Sequence, residues 1–268
     1  MKTVLTSAAA SLALALAGCG GGSGGNANAT ANAAAALPQI PAPNHGDWSE
    51  TIERTPDGGY RMGNPNAPVK LVEYGSITCP HCAHFSETSA PLRERYVRSG
   101  QVSYEFRPFL IHPQDPAVFM LIECQAPSAF FRLTDQLFAT QEQWLGRLQN
   151  VPQEQLQQLS NLSPQQQGPQ LIRMMGLDQF FAQRGMPQSR QDACLADNSA
   201  LQALGQVSER ATSQQGVNQT PTFIVNGEKI DAADWPGVEG PFRIVAIILT
   251  VVAGANLLLA ILFSSTRK

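Results

Sequence analysis

The feature that most constrains this chain is a pair of cysteines two residues apart, in the motif Cys79-Pro80-His81-Cys82. It follows a strand-like segment, Lys70 to Gly75, and opens a helical pattern that runs to about Ser99 with a kink or break at Pro91. A cysteine at a helix N-terminus faces unpaired N–H groups and the positive end of the dipole, which favour a thiolate. Pro80 suits the first helical position, because its missing N–H costs nothing there. The motif therefore predicts a reactive thiol at a strand-to-helix junction.

The second cysteine gives the first one a redox partner. Cys82 lies one turn further along the helix, close enough to attack a mixed disulfide at Cys79 and release it. His81 can add a hydrogen-bond donor or a positive charge beside the thiolate. The alternative is half of a zinc site, but structural zinc takes four ligands, usually in two close pairs. The other candidate ligands have no such spacing, so a redox pair is favoured over a metal site.

The segments around the motif alternate between strand and helix patterns. A strand is predicted over Gln101 to Phe109, and a series of short helices over a glutamine-rich insert at about 114–216. Thr222 to Val225 is a further strand. Asn226-Gly227 is a strong hairpin signal that returns the chain through Lys229-Ile230. The order βαβ, helical insert and ββ predicts an α/β fold with a parallel pair of strands.

Two motifs together resemble a known family. The run from Glu73 to Cys82 (EYGSITCPHC), taken with Thr220-Pro221-Thr222-Phe223, resembles the DsbA family of thioredoxin-fold proteins. The resemblance extends over about Gly59 to Asp231 and includes the helical insert. It implies thiol–disulfide exchange at the Cys-Pro-His-Cys motif, without a cofactor.

The resemblance also implies a role for individual residues. Cys79 is the attacking thiolate and Cys82 the resolving thiol. Pro221 is in the cis form, faces the cysteine pair and helps to bind an extended polypeptide, and Thr220 contacts the attacking sulfur. Glu73 matches a buried acid that assists proton movement near the disulfide; its alternative is a polar strand residue that faces water.

Cys124 and Cys194 fall in the helical insert, and three interpretations are open. They form a structural disulfide, which an oxidising compartment favours, or they are buried free thiols that act as small apolar residues, or they are a second redox pair.

The start of the sequence has the pattern of an export signal. Residues 1–18 combine Lys2 with an apolar and small-residue run, and Leu16-Ala17-Gly18-Cys19 resembles a bacterial lipobox in which Cys19 is lipidated. An ordinary signal peptide is the alternative. Residues 19–47 are rich in Gly, Ala and Asn and predict a disordered linker to a domain at 48–241.

The other end carries a second apolar run. Ile244 to Phe263 has no charged residue and predicts a transmembrane helix within 242–264, followed by the basic tail 265–268. The positive-inside rule then puts the domain outside the cytoplasm. A buried helix of the domain and a reading-frame change are the alternatives. Asp231 to Pro241 contains prolines and glycines that disfavour a helix, so the helix expected after the hairpin is short or is replaced by the start of Ile244 to Phe263.

Together these features predict a membrane-anchored, monomeric, periplasm-facing oxidase of the bacterial envelope. Its substrates would be secreted polypeptides with cysteines, and the family implies a quinone-linked membrane partner that reoxidises it. A disulfide reductase or isomerase, and a thiol-based copper-binding or chaperone module, are the alternatives. The net charge is −3, and no basic stripe supports nucleic-acid binding.

Overall fold

The fold is built on one mixed sheet. A computed structural model describes residues 39–242, 244 and 245. The strands are β1 (Ile52–Arg54), β2 (Tyr60–Met62), β3 (Val69–Gly75), β4 (Val102–Pro108), β5 (Thr222–Val225) and β6 (Glu228–Ile230). They form a six-stranded sheet in the order β1-β2-β4-β3-β5-β6. Only the central β3–β4 pair is parallel, as the predicted βαβ unit requires.

The helices surround this sheet. They are α1 (Pro80–Thr88), a π-helical segment (Leu92–Val97), α2 (Asp115–Glu123), α3 (Phe130–Ala139), α4 (Gln141–Gly146), α5 (Gln153–Ser160), α6 (Pro164–Met174), α7 (Leu177–Ala182), α8 (Gln188–Leu195) and α9 (Asn198–Gln215). Residues 235–242, which we call α10, and residues 244–245 are also helical. Helices α2 to α9 occupy the region that was predicted as the helical insert.

Strand β3 separates two packed layers. Its successive side chains point to opposite faces, as in any strand. Val69 and Leu71 face the larger core, which α1 and the insert cover. Tyr74 belongs to a smaller cluster on the other face, with Ala211 of α9 and Ile224 of β5. The strand that leads to the cysteine motif is therefore held on both faces.

The helix that starts at the motif is interrupted where the sequence predicted a break. Helix α1 ends at Thr88, and Pro91 precedes the π-helical segment. Pro91 has no N–H to donate to the preceding turn, so the regular ladder cannot continue through it. Leu92 and Tyr96 still bury their side chains in the core.

The predicted hairpin is present and reaches back to β3. Asn226 and Gly227 have φ values of 51° and 89°, which a turn of this kind requires at both positions. The Asn226 side chain accepts from the Lys70 N–H at 2.8 Å and donates to the Pro68 carbonyl at 3.2 Å. The turn is thus bonded to the start of β3, and this fixes the register of β5 against β3.

Two elements were not predicted. Strands β1 and β2 have only three residues each, too few for an alternating pattern to be recognised. The helix expected after the hairpin is present and short, since α10 covers residues 235–242. Pro236 and Gly237 fall in the first turn, where they cost little, and the Asp234 side chain accepts from the Gly237 N–H at 3.0 Å as a cap.

The predicted linker overlaps the folded unit at its end. The Ile40 N–H donates to the Ser99 carbonyl, and the Ile40 carbonyl accepts from the Trp48 indole, each at 2.8 Å. These bonds hold residue 40 in place although the segment offers little apolar surface. The predicted signal peptide, Cys19 and the rest of the linker up to residue 38 lie outside the described residues.

The predicted transmembrane segment also lies almost wholly outside the described residues. It shares with them only residues 242, 244 and 245. Within the part of the chain that the structure describes, no helix has both the length and the apolar character to cross a bilayer.

Cys124 and Cys194 are joined in a disulfide. It connects the end of α2 to α8, with 6.1 Å between the two Cα atoms and a sequence separation of 70. A cross-link that closes so long a loop reduces the conformational freedom of the unfolded chain.

We expect the double variant Cys124→Ala/Cys194→Ala to lose about 4 kcal/mol of unfolding free energy in non-reducing buffer, the chain-entropy value for a loop of this length. Urea unfolding of the two proteins measures the loss. A reductant should bring the wild type close to the variant. A loss below about 1 kcal/mol would show that the bond contributes little to stability.

Candidate redox site

Cys79 occupies the N-cap of α1, with Pro80 as the first helical residue. Its side chain is nearly buried, and the protonated thiol donates to the carbonyl oxygen of Thr220 at 3.2 Å. A hydrogen bond from the Cys82 thiol is the main cause that lowers the pKa of Cys79 to about 5, and the backbone N–H groups of Cys82 and His81 add to it. Cys79 is therefore a thiolate at neutral pH.

Cys82 has the opposite character. Its side chain is fully buried. Burial raises the pKa of Cys82 well above that of an ordinary thiol, and the hydrogen bond to Cys79 and the negative charge of Glu73 raise it further. Of two sulfurs in one motif, one carries the charge and the other keeps its proton.

The two residues between the cysteines are exposed. Pro80 keeps the first turn of α1 without an unused N–H group. His81 supplies a donor to Cys79 through its backbone N–H.

The sheet brings the second motif to the cysteines. Tyr74 of β3 pairs with Thr222 of β5, so the residues just before β5 lie beside the loop that follows β3. The Thr220–Pro221 peptide bond there is cis, and Pro221 is buried. The structure therefore brings together Cys79 and the Thr220-Pro221 pair, which are far apart in sequence.

Glu73 lies on β3 with its side chain 1% exposed. The alternative of a water-facing strand residue is therefore wrong. Tyr104 of β4 donates its hydroxyl to the Glu73 carboxyl at 2.5 Å. Burial raises the pKa of Glu73 to about 8, although the Tyr104 bond and the charge of Arg93 oppose this. A carboxylic acid that keeps its proton near pH 7 thus lies close enough to Cys82 to affect its pKa.

An ion pair between Arg93 and Asp135 lies near enough to Glu73 to affect its pKa. Arg93 forms a bidentate contact with Asp135 of α3, with Nη2 and Oδ1 2.7 Å apart. Ser86 of α1 donates to the same carboxylate at 3.2 Å. The positive charge of Arg93 lowers the pKa of Glu73, and the negative charge of Asp135 opposes this effect.

The sequence analysis missed Asp115, a fully buried carboxylate at the first position of α2. It accepts from the Ser76 hydroxyl, from the N–H and hydroxyl of Thr78, and from the N–H groups of Ile111 and His112, at 2.8–3.2 Å. The Thr78 hydroxyl also lies 2.8 Å from the His112 Nδ1. Asp115 thereby holds the loop that presents Cys79. The only signal in the sequence is an acidic residue before a proline at the start of the insert, which is typical of a helix N-terminus.

Gln141, at the start of α4, was also missed. Its side chain is buried and donates from Nε2 to the carbonyls of Ile77 and Cys79, at 2.9 and 3.0 Å. In a glutamine-rich insert nothing in the sequence distinguishes this residue from its neighbours. Among the described residues, no group of three or more His, Cys, Asp or Glu side chains is placed to hold a metal ion.

Comparison with known proteins agrees with the fold and with the cysteine site. A sequence profile described as thioredoxin matches residues 55–239. The chain belongs to the thioredoxin family. A protein-disulfide isomerase from Novosphingobium aromaticivorans, known from a crystal structure, is 32% identical with a TM-score of 0.68; the match covers 71% of this chain and 98% of that one.

Two more distant relatives extend the comparison. The crystal structure of α-DsbA1 from Wolbachia pipientis is 20% identical with a TM-score of 0.55, over 71% of this chain and 93% of that one, and supports the fold alone. A candidate protein-disulfide oxidoreductase of Rickettsia bellii is 26% identical over 62% of this chain and 56% of its own length. The chain spans about half the length of the curated relatives it matches. The predicted thioredoxin-like α/β fold with a helical insert, and the resemblance to DsbA-like proteins, are confirmed.

The pKa of Glu73 predicts a pH-dependent stability. The folded state holds the Glu73 proton up to about pH 8, whereas an ordinary glutamate releases it near 4.5. The folded protein therefore binds more protons in this interval, and the stability due to this proton, fully present below the interval, is lost as the pH rises through it. We expect the unfolding free energy of Glu73→Gln, relative to reduced wild type, to increase from about pH 4.5 to 8 and then level off.

Denaturant unfolding at several pH values measures this difference. Glu123→Gln is a matched control, because burial raises the pKa of Glu123 to about 7. Its curve should level off at a lower pH than that of Glu73→Gln. A difference for Glu73→Gln that does not change with pH would show that Glu73 has an ordinary pKa.

Proposed function

We propose that this chain is a thiol–disulfide oxidoreductase of the bacterial envelope that oxidises cysteines of secreted polypeptides. The observation that carries the proposal is the inequality of the two sulfurs in one helical turn. Stabilising the Cys79 thiolate favours the reduced pair, and this makes the Cys79–Cys82 disulfide a stronger oxidant.

In the first half of the proposed reaction, a substrate thiolate attacks the Cys79 sulfur of the Cys79–Cys82 disulfide. The bond between Cys79 and Cys82 breaks, and a mixed disulfide forms between the substrate and Cys79. Cys82 leaves with the electron pair and takes a proton, since its buried sulfur cannot hold a charge. Glu73 is protonated near neutral pH and is the proposed donor of that proton.

In the second half, another substrate thiolate attacks the substrate sulfur of the mixed disulfide. The substrate disulfide forms and Cys79 leaves as a thiolate, which its low pKa makes a good leaving group. Two electrons have then passed from the substrate dithiol to the protein, and Glu73 regains its proton from one of the two protons that the substrate thiols released. We propose that a quinone-linked membrane partner removes them, and that the signal, lipid and transmembrane segments predicted at the two ends hold the domain, as a monomer, on the outer side of the membrane.

The Thr220–Pro221 segment gives the proposal a binding surface. The Thr220 carbonyl lies 3.2 Å from the Cys79 sulfur, so a polypeptide chain that reaches Cys79 must pass beside this backbone. Hydrogen bonds between this backbone and the main chain of a substrate would bind an extended segment whatever its side chains. The substrate class proposed from this geometry is therefore extended polypeptide.

Isomerase or reductase activity is the second candidate, and one observation favours it. The Novosphingobium structure that is 32% identical to this chain is described as a protein-disulfide isomerase. The same two sulfurs can perform either reaction, and the equilibrium with glutathione decides which direction is favoured.

Thiol alkylation tests the inequality of the two sulfurs. In the variant Cys124→Ala/Cys194→Ala, which removes the other described cysteines, we expect Cys79 of the reduced protein to react with iodoacetamide half-maximally near pH 5. Cys82 should remain unmodified at neutral pH. Mass spectrometry identifies the modified residue. Half-maximal reaction of Cys79 near pH 8.5, the ordinary cysteine value, would remove the basis of the proposal.

A redox titration of the full chain in glutathione buffers then distinguishes the candidates. A Cys79–Cys82 pair that is reduced even in weakly reducing buffer supports the oxidase. A pair that stays oxidised until glutathione is strongly reducing supports the reductase. If the pair forms no disulfide in any buffer, both are wrong and a thiol-based copper or peptide site replaces them.

A further inference from the structure

We propose that Gln141 is a positioning residue for Cys79, through which the helical insert sets the redox behaviour of the pair. The inference rests on the proposed function, because it assigns a residue that tunes the same reaction. Gln141 has no contact with the reacting sulfurs among its described hydrogen bonds, and it acts through the backbone that holds one of them.

The contact joins two parts of the fold that are distant in sequence. Gln141 lies 62 residues from Cys79, at the start of α4, and one Nε2 group donates to the carbonyls of Ile77 and Cys79. Ile77 belongs to the loop between β3 and α1, and Cys79 is the N-cap of α1. A single amide group therefore fixes two carbonyl oxygens in the segment that carries the nucleophile.

The Cys79 carbonyl links Gln141 to the first turn of α1. It already accepts the first helical bond of α1, from the Ala83 N–H at 3.1 Å. The peptide unit to which it belongs continues into Pro80, which has no N–H to add to the first turn. The second donor, Gln141, therefore helps to fix the direction in which the first turn of α1 points.

That direction decides how well the thiolate is stabilised. The N–H groups of His81 and Cys82 favour the charged form of Cys79 only if they point at its sulfur. Without the Gln141 donor, two nearly buried carbonyls lose a partner and the first turn can rotate. We expect the thiolate to become less favourable and the protein to become a weaker oxidant.

The insert contains a matched control in Gln191 of α8. This fully buried glutamine also donates from Nε2 to two carbonyls, those of Asp178 and Met186, at 2.9 and 2.8 Å. It makes no contact with the loop that carries Cys79 among these bonds. Replacing either glutamine by methionine removes its two hydrogen bonds to carbonyls and keeps an unbranched side chain of similar size.

The experiment compares the full chain carrying Gln141→Met or Gln191→Met with the wild type. Both variants should unfold at lower denaturant concentration. Only Gln141→Met should raise the pH of half-maximal Cys79 alkylation, by about one unit, which is the size expected for one charge-assisted hydrogen bond. At pH 7 it should also shift the equilibrium with glutathione about tenfold toward the Cys79–Cys82 disulfide, because one pKa unit corresponds to a factor of ten.

The pH profile distinguishes a tuning role from a purely structural one. At pH 4 the thiol of Cys79 is protonated in both proteins, so the glutathione equilibria of Gln141→Met and wild type should converge. If Gln141→Met unfolds, Gln141→Asn, whose shorter side chain cannot reach both carbonyls, should give the same shift. Equal redox behaviour of the Gln141 and Gln191 variants would overturn the inference. A wild type that forms no Cys79–Cys82 disulfide would instead overturn the proposed function.

Discussion

The hydrogen bond between the thiols of Cys79 and Cys82 joins two sulfurs that burial has made unequal. Cys82 cannot hold a charge in its buried position, so it donates its proton, and the negative charge stays on Cys79 at the helix N-terminus. The order of the sheet then places the Thr220 carbonyl against the same sulfur. If Cys82 were accessible to water, the main cause that raises its pKa would be lost and the difference between the two sulfurs would be smaller.

The helical insert contributes more than a cover for the core. Asp115 and Gln141, at the starts of α2 and α4, bond to the loop between β3 and α1, one to its N–H and hydroxyl groups and the other to its carbonyls. Donors and acceptors of the loop are thus both satisfied by side chains from the insert. The disulfide between Cys124 and Cys194 ties α2 to α8, and so limits local opening of the layer that carries Asp115.

The parts that could be predicted from sequence are those with local signals. The cysteine motif, the strand before it, the break at Pro91 and the Asn226-Gly227 turn each depend on nearby residues, and the structure contains all four features. The short helix at residue 235 was one of two alternatives, and the sequence could not decide between them, because buried contacts of Trp235 with Tyr96 outweigh weak local propensity. The contacts of Asp115 and Gln141 with the loop that carries Cys79 could not be predicted, since those partners lie more than thirty residues away in sequence.

The raised pKa of Glu73 is compatible with the lowered pKa of Cys79. Two negative charges this close in an apolar surrounding would repel strongly, and the fold avoids this by leaving the proton on Glu73 while Cys79 loses its own. Tyr104 donates to Glu73 as a neutral group, and the negative charge of Asp135 opposes that of Arg93, so the pKa of Glu73 stays raised. In the proposed reaction, the proton that Cys82 needs when the disulfide opens is then already inside the protein, and its delivery requires no water to enter the site.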